Sequence, residues 1–302
     1  MTPRPEPGPE PRSAGAVRLA VPALERTADI TPVDEGGGHS TWWVGSGHVL
    51  RLALDRDGSH RQAREIALRE LIRRHTRLPL PASSLNGFWA PGLSFTLDTR
   101  LRGVSAERRP VAPAGEDDLA GLLSALRSLS ASTANGPAGA LDLPRVPRRD
   151  EGSLYAGARA AAERLGEEGV FPRELLPRPE GGSEGPVAGP REEVLLHNDL
   201  KGEHLLVTPA GRISGVIDWA DAALGDPAED IAGLSLAVGA PAALRIAVRA
   251  GYGAPAGLRG LRLARADTLI RLCDRLHGTD DSPLGLLRAQ RARAWWPTPL
   301  DS

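Results

Sequence analysis

The 302-residue chain has one cysteine, Cys273, one methionine, and few aromatics: two Tyr and three Phe beside six Trp. A lone thiol excludes an internal disulfide and suits a reducing, cytoplasmic compartment. No stretch approaches the roughly 18 uninterrupted apolar residues of a spanning helix. The opening MTPRPEPGPEPR has no apolar core of the kind a signal peptide needs. An excess of one charge is missing too: 37 basic residues face 38 acidic ones, for a formal net charge of -1. No global field therefore holds nucleic acid or a membrane surface, and an anionic ligand needs a local site. Lysine is the rarest cation. Lys201 is the single lysine, every other basic residue being arginine. GC-rich codon bias accounts for that imbalance, and against it the surviving lysine asks for a function.

What is present is a globular composition, 41% hydrophobic and 25% charged, in a chain long enough for two lobes. Residues 1–15, rich in Pro, Gly and charge, read as a disordered tail. Residues 16–102 form a strand-rich N-lobe. Thr41–Val44 and His48–Leu54 are strands around Gly45, Ser46 and Gly47, a hairpin pattern. A helix over Ser59–Arg77 follows, with Ala63, Ile66, Ala67, Leu71 and Ile72 on one face, and Leu78-Pro79-Leu80-Pro81 ends it. Its arginines, Arg61, Arg64, Arg69, Arg73, Arg74 and Arg77, read as a solvated face. Leu93–Leu101 is the next strand.

Residues 103–302 turn helical. Helices are expected at Glu116–Ser130, Leu154–Leu165, Ala228–Val238, Pro241–Ala250, Leu258–His277 and Ser282–Trp295. Short strands lie between them at Val194–Leu196, His204–Val207 and Ile213–Ile217. Strands first and helices second argue an α+β fold in two lobes.

The chemistry concentrates in Leu196-His197-Asn198-Asp199-Leu200-Lys201-Gly202-Glu203-His204 and in Ile217-Asp218-Trp219. A strand delivers a loop carrying Asp199 and Lys201, His204 opens a hairpin, and the hairpin returns to Asp218. Two carboxylates, an imidazole and an ammonium then converge. Phosphoryl transfer needs such a set: one carboxylate to orient the attacking hydroxyl, one to hold a hard cation, and a cation to offset phosphate charge.

On these residues the chain resembles the aminoglycoside/macrolide phosphotransferase family of the protein-kinase-like superfamily. Asp218-Trp219 followed by Gly225-Asp226-Pro227-Ala228-Glu229-Asp230 strengthens the likeness. The resemblance implies a protein-kinase-like two-lobed fold, with a small β-rich N-lobe and a larger helical C-lobe. It implies ATP and Mg²⁺ in the cleft and transfer of the γ-phosphate to a hydroxyl of a small molecule. Asp199 would be the catalytic base and Lys201 would touch the γ-phosphate. Asp218 would ligate Mg²⁺, and so would His204, which stands where Asn is commoner. His197 and Asp230 would brace the loop. Gly36, Gly37, Gly38 and Ser40 precede a strand and would cradle phosphate. Arg51 takes the place of the expected lysine, with Glu65 its partner and Glu70 the rival. Thr99–Arg102 would be the hinge that meets adenine.

A catalytically weak nucleotide-binding pseudokinase is the alternative, and a metal-dependent hydrolase built on His197, Asp199, His204 and Asp218 is a second rival. Cys273 reads as a core thiol. The acceptor is not named by the residues. A polycationic, aminoglycoside-type antibiotic would want an acidic wall, for which Glu116, Asp117, Asp118, Glu163, Glu167, Glu168, Asp221, Asp226, Asp280 and Asp281 are candidates. A macrolide would want an apolar pocket. Either would make the protein an antibiotic-resistance enzyme.

Overall fold

The computed structural model describes residues 11, 13–24, 29–33, 39–131, 141–170, 187, 189 and 191–299. The first lobe holds α1 (Ala14–Ala20), β1 (Ile30–Pro32), β2 (His39–Val44), β3 (His48–Ala53), α2 (Arg56–Arg73), β4 (Ser83–Ala90) and β5 (Leu93–Thr99). Its antiparallel sheet runs in the order β1-β2-β3-β5-β4, so β3 lies at the centre. The expected hairpin is β2–β3, turning through Gly45, whose φ of 55° is one that glycine adopts without strain. Leu50, Leu52, Trp42 and Phe95 form one small core with Val17 of α1.

Helix α2 starts where Asp55 caps it, the carboxylate accepting the Gly58 N–H at 2.5 Å. It does not belong to the first lobe alone. Leu68, Leu71 and Ile72 pack into the same core as Leu119, Leu122, Leu123 and Leu126 of the second lobe. Each such leucine contributes about 1.5–3 kcal/mol by leaving water.

The second lobe contains β6 (Val104–Ser105), α3 (Pro113–Ala131), α4 (Glu151–Glu167), β7 (Val194–Leu196), β8 (Leu205–Val207), β9 (Ile213–Val216) and β10 (Ala223–Gly225). Four further helices follow: α5 (Ala228–Val238), α6 (Ala240–Arg249), α7 (Ala254–Leu276) and α8 (Leu284–Ala294). Strands β6, β8 and β9 make one antiparallel sheet, while β7 pairs with β10. That second pairing sets Leu196 opposite Ala223. The loop leaving β7 and the chain leaving β9 meet at the helical lobe, where the Ile217 N–H donates to the His204 carbonyl at 3.0 Å. Among the described residues no helix is long and apolar enough to cross a membrane.

Candidate active site

The loop after β7 is held by its backbone. Asp230, fully buried on α5, accepts the N–H of His197 at 2.9 Å and of Asn198 at 2.8 Å. Burial pushes its carboxyl up to about 7 against the pull of those two amides. Asn198 is left-handed, with φ 66°. A Cβ on Gly233 would stand 2.8 Å from the Leu200 carbonyl oxygen, so α5 touches the loop backbone at a place where only glycine fits.

His197 lies beneath the loop at 0% exposure. Its Nε2 donates to the Ile217 carbonyl at 3.0 Å, and its Nδ1 accepts the Asp199 N–H at 3.3 Å. That is the pattern of a neutral imidazole, and burial, reinforced by nearby His204, pushes its pKa down to about 4. The ring sits 4.5 Å from the Trp219 ring. His197 therefore joins the Asp199 segment to the Asp218 segment from a fully buried position.

Four groups lie together beside it. Lys201 Nζ lies 2.5 Å from Asp199 Oδ1. His204 Nδ1 bonds the Asp199 main-chain carbonyl at 2.7 Å and lies 3.5 Å from its Oδ2. A carbonyl only accepts, so Nδ1 carries a proton, and Nε2 on the other edge of the ring lies 3.4 Å from Asp218 Oδ2. Asp218, left-handed at φ 63°, is the more open acid, 52% exposed against 24% for Asp199. The structure thus brings together Asp199, Lys201, His204 and Asp218. Glu203, which carried no role in the sequence reading, joins them: it, Asp199 and His204 offer ligand atoms within 4.8 Å of one another.

The first lobe presents Arg51 from β3. Its Nη2 donates to Glu65 Oε2 at 2.6 Å, settling the partner as Glu65 over Glu70. The same nitrogen lies 3.4 Å from Asp98 Oδ2 on β5. Burial works against the charge on Arg51, but Glu65, Asp98 and, beyond them, Asp218 more than offset it and hold the guanidinium above its ordinary value. Arg69 corrects the sequence expectation of a solvated face. It is 1% exposed, and its Nη1 and Nη2 donate to Asp98 at 3.2 and 3.1 Å.

Ser40 is on β2, buried, with its Oγ accepting the Trp42 indole N–H at 3.0 Å. Gly36, Gly37 and Gly38 lie outside the described residues. In the Thr99–Arg102 connection, the Arg100 N–H donates to Gly47 at 2.8 Å and the Arg102 carbonyl accepts from Ser214 at 2.6 Å. Of the acids offered for a cationic acceptor, Glu116, Asp118, Asp226 and Asp280 each pair with an arginine, Arg245, Arg212, Arg259 and Arg271 respectively. Asp221 stands beside the cleft: desolvation and then the charges of Asp218 and Asp199 push its carboxyl upward. Cys273 is buried, as expected of a core thiol.

A family model described as "Phosphotransferase enzyme family" matches residues 29–266. The chain belongs to this family. A viomycin phosphotransferase from Streptomyces vinaceus is 44% identical over 48 residues, 15% of this chain and 17% of that protein. The match therefore spans well under a fifth of that relative's length. Among solved structures, the GDP and kanamycin complex of APH(2")-IIIa superposes with a TM-score of 0.64 at 19% identity, covering 91% of this chain and 97% of that one. Macrolide 2'-phosphotransferase MphH from Brachybacterium faecium gives a TM-score of 0.57 at 20% identity, over 94% and 98%. A streptomycin–ATP complex of APH(2")-IIa gives 0.57 at 15%, over 93% and 96%. These structural likenesses are of fold, and they show the kinase-like architecture expected of the phosphotransferases: a sheet-bearing first lobe on a helical second lobe.

Proposed function

We propose that this phosphotransferase moves the γ-phosphate of ATP to a hydroxyl of a small, antibiotic-like molecule. Residues 16–102 hold the nucleotide and residues 103–302 hold the acceptor and carry the chemistry. The observation that carries the reading is the meeting of Asp199, Lys201, His204 and Asp218 on one side of a cleft whose other side presents Arg51. Proteins similar to this chain are phosphotransferases of aminoglycosides, macrolides and viomycin, which favours transfer over a silent nucleotide-binding module.

The donor set fits a divalent cation. Asp218 supplies a hard carboxylate oxygen, and His204 Nε2, 3.4 Å from it, would join it as a ligand. Bound there, Mg²⁺ supplies charge neutralisation at the phosphates. Asp199 receives the hydrogen bond of the acceptor hydroxyl, orients its oxygen and takes its proton as the new O–P bond forms and the bond from the γ-phosphorus to the β-phosphate oxygen breaks, releasing ADP. Lys201, within reach of Asp199, supplies positive charge where the phosphoryl oxygens gather it. Arg51 offers planar donors from the opposite lobe. Asp230 and His197 keep the loop fixed, so that Asp199 spends no binding energy on ordering itself.

Aminoglycoside-type acceptors have few acids to meet, since Glu116, Asp118, Asp226 and Asp280 already neutralise arginines. Asp221, beside the two aspartates, is the acid placed to meet an amine. That balance favours an acceptor with one amine near the reacting hydroxyl over a polycation. The test incubates purified protein with ATP, Mg²⁺ and a panel of aminoglycoside, macrolide and peptide antibiotics, with mass spectrometry as readout. A phosphorylated product is expected with the parent and none with Asp199→Ala, whose melting temperature stays near the parent's. An equally active Asp199→Ala protein overturns the assignment of the base.

A further inference from the structure

Arginine at position 51 poses a geometric problem that lysine does not. An ammonium radiates three donors from one atom and adapts to a carboxylate on one side and phosphates on the other. A guanidinium is planar, and binding one edge fixes where the other points. A single acid leaves the plane free to swing about the bond it makes. The structure solves this with a second acid. Arg51 Nη2 lies 2.6 Å from Glu65 Oε2 and 3.4 Å from Asp98 Oδ2. Nε is buried without a hydrogen-bond partner among the described residues. The side chain still keeps 14% of its surface exposed. With Nε enclosed and Nη2 clamped, Nη1 is the end left for a ligand, and Asp218 of the second lobe is near enough to act on the same guanidinium.

Asp98 is suited to this task by strand register. Arg51 lies opposite Thr96 on β5, and Asp98 two residues on shares its face, the diagonal position of an antiparallel pair. Two carboxylates so close, at 2% and 5% exposure, cannot both stay ionised beside one cation at low cost. Arg69 removes that difficulty. It donates to Asp98 with both terminal nitrogens and lies 3.5 Å from Glu65 Oε1. The Ser83 and Thr96 hydroxyls also donate to Asp98.

We infer that Asp98, steadied by Arg69, is a positioning residue that aims Arg51 at the nucleotide, and that this second acid is what lets arginine stand in the lysine's place. The inference rests on the reading of Arg51 as the nucleotide's cation. It predicts coupling. A lysine at 51 reaches Glu65 with one nitrogen and has no plane to aim, so Asp98 loses its purpose there.

The experiment compares Asp98→Asn in the parent and in an Arg51→Lys background, with KM for Mg·ATP, KM for acceptor, kcat and thermal melts. In the parent, Asp98→Asn is expected to raise KM for Mg·ATP about tenfold, as the loss of one buried ion-pair contact on Arg51 would, with the acceptor KM unchanged. In the Arg51→Lys background it is expected to change KM for Mg·ATP less than about twofold, as a coupled pair requires. Equal changes in both backgrounds, or no change in a folded Asp98→Asn protein, overturn the inference. Should Asp98→Asn melt at assay temperature, Asp98→Glu keeps the charge, moves the oxygens, and is expected to show the same KM rise. Nitrogen-15 NMR of the nucleotide-free protein reads the clamp by itself: slower rotation about the Arg51 Cζ–Nη2 bond in the parent than in Asp98→Asn, where only Glu65 still holds that nitrogen. A clamp seen by NMR with nucleotide KM unmoved by Arg51→Ala overturns the nucleotide reading, and with it the aim of Asp98. Equal rotation in the two proteins overturns the clamp itself.

Discussion

Two pairs of acids, one in each lobe, are treated differently. Glu65 and Asp98 in the first lobe are 2% and 5% exposed and meet two arginines. Asp199 and Asp218 in the second are 24% and 52% exposed and meet one lysine and one imidazole. The first pair has its charge matched inside the protein and works as scaffolding. The second leaves negative charge unmatched where water reaches it, so it is open to a cation that arrives with a ligand. A buried, matched carboxylate orients its neighbours, whereas an open, undermatched one recruits.

The comparison can be broken from either side. Asp218→Asn has the largest expected effect: kcat/KM falls about a hundredfold or more, with the Mg²⁺ concentration at half-maximal rate raised, because the amide cannot replace an anionic ligand. Mg²⁺ titrations of the rate check this, and the fold should be unharmed, since the Asp218 side chain is half exposed. Arg69→Met should do the reverse. It strips compensation from Glu65 and Asp98 and is expected to lower stability by about 3–5 kcal/mol, read by urea unfolding. A sharper and smaller effect concerns His197, which braces the open pair from below. Its folded pKa, about 4, lies below the ordinary histidine value of about 6.5. The unfolded chain therefore takes up a proton first as pH falls. The contribution of the neutral ring is complete above pH 6.5 and is lost progressively as pH drops toward 4, by up to about 3 kcal/mol. Replacing His197 with Gln should flatten stability against pH over that interval.

Much of this arrangement is legible in the sequence, for reasons that differ by element. Helices α3, α5 and α7 announce themselves through leucines at helical spacing, and β2 and β3 through their branched and aromatic residues around Gly45. The loop 197–204 is legible because several chemically distinct residues occur in one order. Strand β4 is not legible: Ser83-Ser84-Leu85-Asn86-Gly87 carries no strand pattern, and it becomes a strand because β5 offers it an edge to pair with. Strand β10, Ala223-Leu224-Gly225, is too short and too small to carry a pattern and exists because β7 needs a partner. The role of Arg69 is hidden for another reason. Its partner Asp98 lies 29 residues away, and local charge density made the helix face look wet. The available clue was Asp98 itself, the one charged residue of a strand that otherwise reads Leu, Ser, Phe and Thr, which had to find a cation somewhere.

Helix α2 gives its Gln62 and Arg69 side chains to the sheet of one lobe and Leu68, Leu71 and Ile72 to the core of the other. Neither lobe can be dismantled without exposing surface that belongs to its neighbour. Heat or denaturant should therefore take the molecule apart in one concerted step. Rearrangements that let substrates in and out must bend the connecting chain near Arg100 while this shared helix stays seated.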